Sequence, residues 1–116
     1  ARADVAIVTA GATTLAELAA VGLPAIVVPL ASAARDHQTP NARAFAVTTG
    51  APWCREGDWD VERLAGHVVA LAASPSSWAE AAAGMRRYAR PDATEAVVGA
   101  CLDALNLHPA RAARAI

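Results

Sequence analysis

A glycine and two threonines lie between an apolar run and a helical pattern near the start of the chain. The run reads DVAIVT (Asp4–Thr9), and Gly11, Thr13 and Thr14 follow it. A glycine lets the backbone approach a ligand closely, and the free N–H groups at the start of a helix attract anions. The turn is therefore a candidate cradle for a diphosphate, although it is neither GxGxxG nor a Walker A loop.

Glu17, in the helical pattern, has two interpretations. Thr14 and Glu17 fit the S/T-x-x-E capping box, in which the glutamate accepts a hydrogen bond from the N–H of the cap residue. In the alternative, the carboxylate faces a ligand and its two oxygens accept hydrogen bonds from the two vicinal hydroxyls of a ribose. The local pattern alone favours the cap.

A second polar cluster, DHQTPN (Asp36–Asn41), follows the next apolar run. Ligands of open parallel sheets bind beyond the carboxyl ends of the strands, so we expect this cluster to lie beside the glycine turn. The amides of Gln38 and Asn41 both donate and accept hydrogen bonds, as recognition of sugar hydroxyls requires. Alternatively, the cluster is a polar loop in which Asp36 or Thr39 caps a helix, and His37 is a solvated loop residue.

A strand, a helix and a second strand position these residues. Asp4–Thr9 and Pro24–Leu30 are continuous apolar runs, which are typical of strands covered on both faces. Thr13–Gly22 has the spacing of a helix, with Leu15 and its neighbours on one face and a glycine that ends it. The pattern predicts a parallel βαβ unit and an α/β fold.

The rest of the chain is predicted to be mainly helical. Thr39 would cap a helix that runs to about Val47, Asp60 and Ser74 would cap two more, and Asp92 would open a fourth through a capping box with Glu95. The segment 51–56 is a candidate edge strand, and the segment 106–116 reads as a frayed tail. Because two or three strands do not complete a sheet, we expect residues 1–105 to be one incomplete domain whose upstream strands are missing.

Composition excludes several classes of function. The formal net charge is −1 and all ten basic residues are arginine, which gives no basis for nucleic-acid binding. Cys54 and Cys101 are far apart and are predicted to be reduced, and the histidines lack metal-ligand spacing. No apolar run reaches the ~20 residues that span a bilayer.

Three segments in order resemble the C-terminal part of the bacterial family 28 glycosyltransferases of peptidoglycan synthesis. They are ADVAIVTAGATTLAELAAVGLPAIVVPL, DHQTPNARAF and ARPDATEAV, and the resemblance covers roughly Ala3 to Leu105. It implies a GT-B fold, with two Rossmann-like domains and a cleft between them. This chain would be the donor-binding C-terminal domain, with parallel strands, helices and a helical C-terminus.

The resemblance also implies a set of site residues. Those matching Ala12–Glu17 line UDP-N-acetylglucosamine, with Glu17 on the ribose hydroxyls. Gln38 holds the N-acetylglucosamine, and Asn41 assists. The candidate substrate-binding residues are therefore Ala12, Thr13, Thr14, Leu15, Ala16, Glu17, Gln38 and Asn41. The resemblance implies no cofactor, no metal and no catalytic residue within this chain.

The implied reaction is inverting transfer of N-acetylglucosamine onto undecaprenyl-pyrophosphoryl-muramyl pentapeptide (lipid I to lipid II), at the cytoplasmic face of the bacterial inner membrane, by a peripheral enzyme. The lipid-linked acceptor would bind a missing N-terminal domain, so we expect the chain alone to be inactive. Thr9 stands where the family usually has arginine, Ala31 where proline is common, and the glycine-rich phosphate loop is absent. These departures leave open another or a split GT-B transferase, or a non-catalytic nucleotide-sugar-binding remnant.

Overall fold

The computed structural model describes residues 3–32 and 36–105. In this part of the chain, two strands and the helix between them precede four further helices. The elements are β1 (Ala6–Val8), α1 (Ala12–Val21), β2 (Ala25–Val27), α2 (Gln38–Thr49), α3 (Val61–Ala72), α4 (Pro75–Tyr88) and α5 (Ala93–Ala104), with a short 3₁₀ helix at Glu56–Asp58.

The two strands are parallel neighbours, which confirms the predicted βαβ unit. Ala6 pairs with Ala25, and Val8 with Val27. A third segment runs along the other side of β2, where Val27 donates to the carbonyl of Pro52 at 2.9 Å. Only one bridge, between Val27 and Trp53, forms there. The predicted edge strand over 51–56 is therefore reduced to a single bridging residue, since proline lacks the N–H that a longer ladder needs.

The two strands differ in burial. All three residues of β2 are buried. In β1, however, Ile7 is 53% exposed. The prediction that both strands are covered on both faces is thus wrong for β1. The reason is incomplete cover: β1 is the outer strand of its sheet in the described part of the chain, and about half of the Ile7 side chain stays open to solvent there.

The core lies between the sheet and the helices. Leu15 of α1, Phe45 of α2 and Met85 of α4 are fully or almost fully buried, together with Val27 of β2. Phe45 packs edge-to-face on Tyr88, with ring centroids 4.8 Å apart. These contacts fix α1 and α2, the two helices that begin at the carboxyl ends of the strands.

A close approach of two helices depends on Gly84 in α4. A methyl group added at Gly84 would overlap the carbonyl oxygen of Thr49, the last residue of α2. Only glycine allows this contact without displacing one helix. By contrast, a methyl group added at Gly66 in α3 would meet no atom within 4 Å.

The ends of the helices show which of the predicted capping residues form their hydrogen bonds. Asp60 accepts a hydrogen bond from the N–H of Arg63 at 2.6 Å, and Ser74 accepts from the N–H of Ser77 at 3.4 Å, so both predicted caps are confirmed. Gly22 ends α1 in the left-handed conformation, with φ 68°. Asp92 precedes α5, but its side chain makes no capping hydrogen bond, so the predicted capping box with Glu95 is wrong.

The C-terminal helix has little cover in the described part of the chain. Val97 and Val98 of α5 are 63% and 50% exposed, and Leu105 just beyond it is 65% exposed. The segment 106–116, predicted as a frayed tail, lies outside the described residues.

Candidate functional site

The N-terminus of α1 presents free hydrogen-bond donors. The first intrahelical hydrogen bond runs from the N–H of Leu15 to the carbonyl of Gly11 at 3.0 Å. The N–H groups of residues 11–14 make no hydrogen bond within the described part of the chain. The cap residue Gly11 offers no side chain, and the first turn carries no acidic residue. Four donors at the positive end of a helix dipole therefore point away from the helix, an arrangement suited to an anion.

Gly11 is not required by the protein's own geometry. Its φ is −68°, a value that any residue adopts. The nearest atom to an added methyl group is the Thr14 hydroxyl oxygen at 3.8 Å, an ordinary van der Waals contact. Neither torsion nor packing requires a glycine here; glycine is a favoured residue at a helix cap, and its lack of a side chain also leaves the turn open to close approach of a ligand.

Glu17 is not a capping residue. α1 begins at Ala12, with Gly11 as its cap and no side-chain capping bond, so Thr14 lies inside the helix. The prediction that Thr14 and Glu17 form a capping box is therefore wrong, because the cap residue of the helix is Gly11, three residues before Thr14. Glu17 is exposed and makes no hydrogen bond or ion pair with the described residues. It lies one turn beyond Thr13 on the side of α1 opposite the core residue Leu15.

Gln38 connects the ends of both strands. Its Oε1 accepts from the N–H of Ala10 at 3.0 Å and from the N–H of Leu30 at 3.1 Å. The side chain reaches across 28 residues of sequence, and Gln38 is only 8% exposed. Two backbone donors fix the orientation of the amide, so Nε2 points away from them. Nε2 makes no hydrogen bond to the described residues and is available to a ligand at the rim of the turn.

Asn41 completes a clamp around Ala10. Its Nδ2 donates to the carbonyl oxygen of Ala10 at 3.1 Å. Ala10 is fully buried, and both of its backbone polar groups are now bound by side chains of α2. Gln38 and Asn41 are three residues apart and so share one face of the helix.

The start of α2 also differs from its prediction. The helix begins at Gln38 rather than after Thr39, and His37 is the cap residue. Thr39 donates its hydroxyl to Oδ1 of Asp36 at 2.6 Å. Asp36 has φ 49° and forms an exposed ion pair with Arg55 at 3.3 Å. The earlier start matters because it brings the Gln38 side chain within reach of the first turn.

A second concavity runs along α2, away from the glycine turn. It has a volume of about 550 Å³ and is lined by Asp36, Thr39, Pro40, Arg43, Ala44 and Val47. Val47 in its wall is 84% exposed. Its walls carry both charge signs and an apolar floor, so it does not favour a particular ligand.

The structure brings most of the predicted site residues together. Ala12, Thr13, Thr14, Ala16 and Glu17 lie on α1 outside the core, and Gln38 and Asn41 contact the turn that precedes it. Leu15 is the exception: its side chain is in the core and its N–H bonds Gly11, so it supports the site from beneath. Sequence reasoning missed Ala10 and Leu30, whose contributions are backbone groups that no residue type reveals.

Within residues 3–32 and 36–105, no helix is long and apolar enough to cross a membrane. The same ranges contain no group of three metal-ligating side chains. Cys54 and Cys101 are both free thiols.

Comparison with known proteins gives the same family from sequence and from structure. A profile of the glycosyltransferase family 28 C-terminal domain matches residues 1–97. The "UDP-N-acetylglucosamine--N-acetylmuramyl-(pentapeptide) pyrophosphoryl-undecaprenol N-acetylglucosamine transferase" of Alkalilimnicola ehrlichii is 44% identical over 101 residues, which are 87% of this chain and 28% of the relative. The protein of the same name from Azoarcus sp. is 46% identical over 99 residues, 85% of this chain and 27% of the relative.

A solved structure has the same fold. The crystal structure of Acinetobacter baumannii MurG matches with a TM-score of 0.70 and 36% sequence identity, over 84% of this chain and 29% of the MurG chain. This match confirms the predicted α/β fold of GT-B type. The chain spans less than a third of the length of these relatives. Because the family profile covers most of its residues and a solved relative shares its fold, the chain belongs to the C-terminal domain family of the family 28 glycosyltransferases.

Proposed function

We propose that this chain binds UDP-N-acetylglucosamine as the donor domain of an inverting hexosyltransferase. The observation that carries the proposal is the set of four free N–H groups at residues 11–14, beside the buried amide of Gln38, in a family 28 domain. The acceptor is undecaprenyl-pyrophosphoryl-muramyl pentapeptide, by analogy with the names of the relatives. It binds to a part of the enzyme outside this chain, on the cytoplasmic face of the bacterial inner membrane.

The diphosphate of the donor lies at the N-terminus of α1. Negative charge grows on UDP as the bond to the sugar breaks, and preorganised N–H groups lower the energy of that charge in the transition state. The hydroxyls of Thr13 and Thr14 add two further donors at the same turn. The helix dipole of α1 and the N–H groups at its N-terminus thus supply the electrostatic stabilisation that the leaving group needs.

Glu17 binds the ribose and Gln38 the sugar. Glu17 lies about 8 Å along the axis of α1 from the first residue of that helix, because each residue adds 1.5 Å to the length of a helix. An unpaired, exposed carboxylate can accept both hydroxyls of a vicinal diol. The outward Nε2 of Gln38 is a donor for a sugar hydroxyl, while its Oε1 remains engaged with the backbone.

Titration calorimetry of the complete polypeptide encoded by the gene, with UDP-N-acetylglucosamine, tests the proposal. We expect one binding site per chain and competition by UDP. An absence of binding by both UDP and UDP-N-acetylglucosamine would reject the donor role. Binding that is unchanged when residues 11–17 are replaced by those of an unrelated strand-to-helix turn would place the donor elsewhere.

A further inference from the structure

We propose that Asn41 is a positioning residue, which aims the Gly11 N–H at the diphosphate of the donor by holding the neighbouring carbonyl group. This inference rests on the proposed function and goes beyond it, because it gives Asn41 a role that acts through the backbone of Ala10 and Gly11.

The geometry of the peptide group carries the argument. The carbonyl of Ala10 and the N–H of Gly11 belong to one planar peptide unit, and in a trans peptide they point in opposite directions. The structure has no cis peptide bond in the described residues. Asn41 holds the carbonyl oxygen from the side of α2 at 3.1 Å, so the Gly11 N–H must point away from α2.

The Gly11 N–H has no other function within the described part of the chain. It makes no hydrogen bond there, and it is the first of the four free donors at the N-terminus of α1. A single glycine peptide could otherwise rotate at low cost, because glycine has no side chain to restrict it. The hydrogen bond from Asn41 opposes that rotation before any ligand arrives.

Gln38 restrains the peptide group on the other side of Ala10. Its Oε1 accepts from the Ala10 N–H, so both peptide planes that flank Ala10 are held. Ala10 itself is fully buried and cannot move without disturbing the core. The contact uses one of the two N–H groups of Asn41 Nδ2, and it fixes the orientation of the amide because a carbonyl oxygen accepts only from the nitrogen.

The test compares two ligands across one substitution in the complete gene product. Asn41→Ala removes the hydrogen bond to Ala10 and keeps a good helix former. We expect the affinity for UDP, which carries the diphosphate but no sugar, to fall at least about fivefold, and the affinity for UDP-N-acetylglucosamine to fall at least as much, because the lost alignment concerns the shared diphosphate. In ¹⁵N spectra, the shift of the Gly11 amide on adding UDP should shrink in the variant.

Thr39→Val is the matched control. It removes a hydrogen bond from the same helix start, to Asp36, without touching Ala10. A comparable loss of melting temperature with unchanged UDP affinity in this variant shows that destabilisation of α2 alone does not weaken binding. If Asn41→Ala does not fold, Asn41→Leu, which restores the side-chain volume but not the donor, provides the same comparison.

Three outcomes would overturn the inference. A loss of affinity for UDP-N-acetylglucosamine with unchanged affinity for UDP would mean that Asn41 acts on the sugar alone and does not align the Gly11 N–H. Unchanged affinity for both ligands, in a wild-type protein that binds them, would mean that the clamp has no part in binding while leaving the proposed function intact. A wild-type protein that binds neither ligand would reject the proposed function and the inference together.

Discussion

At the scale of single residues, the site combines a carboxylate that has no partner among the described residues with a glycine that neither torsion nor packing requires. Glu17 is exposed and makes no hydrogen bond to the described residues, and Gly11 has ordinary torsions and room for a methyl group, which would make only a van der Waals contact with Thr14. In a domain that folds for stability alone, such positions tolerate change. Here we expect stability and binding to respond differently when either residue is replaced.

Glu17→Ala should weaken binding of UDP to the complete gene product by about tenfold or more, since two hydrogen bonds to a charged acceptor are lost. Its melting temperature should stay the same, because the side chain has no partner in the described part of the chain. Calorimetry with UDP and with its 2′-deoxy analogue measures the effect. The variant should no longer distinguish the two ligands; continued discrimination by the full wild-type factor would remove Glu17 from the ribose site. Glu80→Ala, at another exposed helical glutamate, is the control.

Gly11→Ala should separate folding from binding. The added methyl group meets no protein atom closer than 3.8 Å, so the free energy of unfolding should fall by less than about 1 kcal/mol, the difference between glycine and alanine at a helix cap. The affinity for UDP should fall sharply because the methyl group occupies the approach to the free N–H groups. Gly57→Ala, at a glycine with no atom within 4 Å of an added methyl group, should leave UDP affinity unchanged. Full UDP affinity in Gly11→Ala would mean that the ligand does not approach this turn.

At the scale of elements, α4 holds the helices of the site in place. It packs on α1 and α2 and approaches the end of α2 most closely at Gly84. Trp78 of the same helix donates its indole N–H to the carbonyl of Asp4 at 2.7 Å, which ties the helix to the chain that enters β1. The candidate site therefore depends on a helix that contributes none of its predicted residues.

Gly84→Ala should destabilise the fold by about 2–3 kcal/mol, because the methyl group overlaps the Thr49 carbonyl and forces α4 from α2. Gly66→Ala, at an open position in α3, should instead stabilise it by up to about 1 kcal/mol. Urea unfolding of both variants measures the difference. Equal effects of the two substitutions would show that the helices are not in close contact at Gly84.

The sequence predicted those elements whose signals are local. The end of α1 at Gly22 and the caps at Asp60 and Ser74 each depend on a few adjacent residues, and the parallel βαβ unit follows from two apolar runs and the helical pattern between them; all are confirmed. The predicted capping box of Thr14 and Glu17 is wrong because the helix already starts after Gly11. The four-residue motif contains no information about the residues that precede it.

The candidate site was only partly predictable for a related reason. Residue type and the family resemblance marked Glu17, Gln38 and Asn41. The contacts of Gln38 and Asn41, however, reach Ala10 across 28 and 31 residues of sequence, and they involve backbone groups. Such contacts depend on where α2 begins relative to the turn after β1, so they cannot be predicted from any local sequence pattern.

At the scale of the whole molecule, apolar residues at both ends of the described chain lack cover. Ile7 on β1 is 53% exposed, and Val97, Val98 and Leu105 are at least 50% exposed. Buried apolar area is the main stabilising contribution to a fold, at about 25 cal/mol per Å². These residues contribute little of it in the chain by itself.

We therefore expect the 116-residue chain, produced alone, to be marginally stable, with a free energy of unfolding below the ~5 kcal/mol typical of small domains. Urea unfolding followed by circular dichroism, with sedimentation to establish the oligomeric state, measures this. A soluble monomer that unfolds cooperatively with a larger free energy would show that the exposed residues are not a weakness of the chain.

The crystal structure of the complete gene product with UDP-N-acetylglucosamine tests the central claim most directly. We predict the diphosphate within about 3 Å of the N–H groups of residues 11–14, the ribose hydroxyls on Glu17 and the sugar beside Gln38. A nucleotide bound elsewhere, for example in the groove between Pro40 and Val47, with the N-terminus of α1 left empty, would contradict the account.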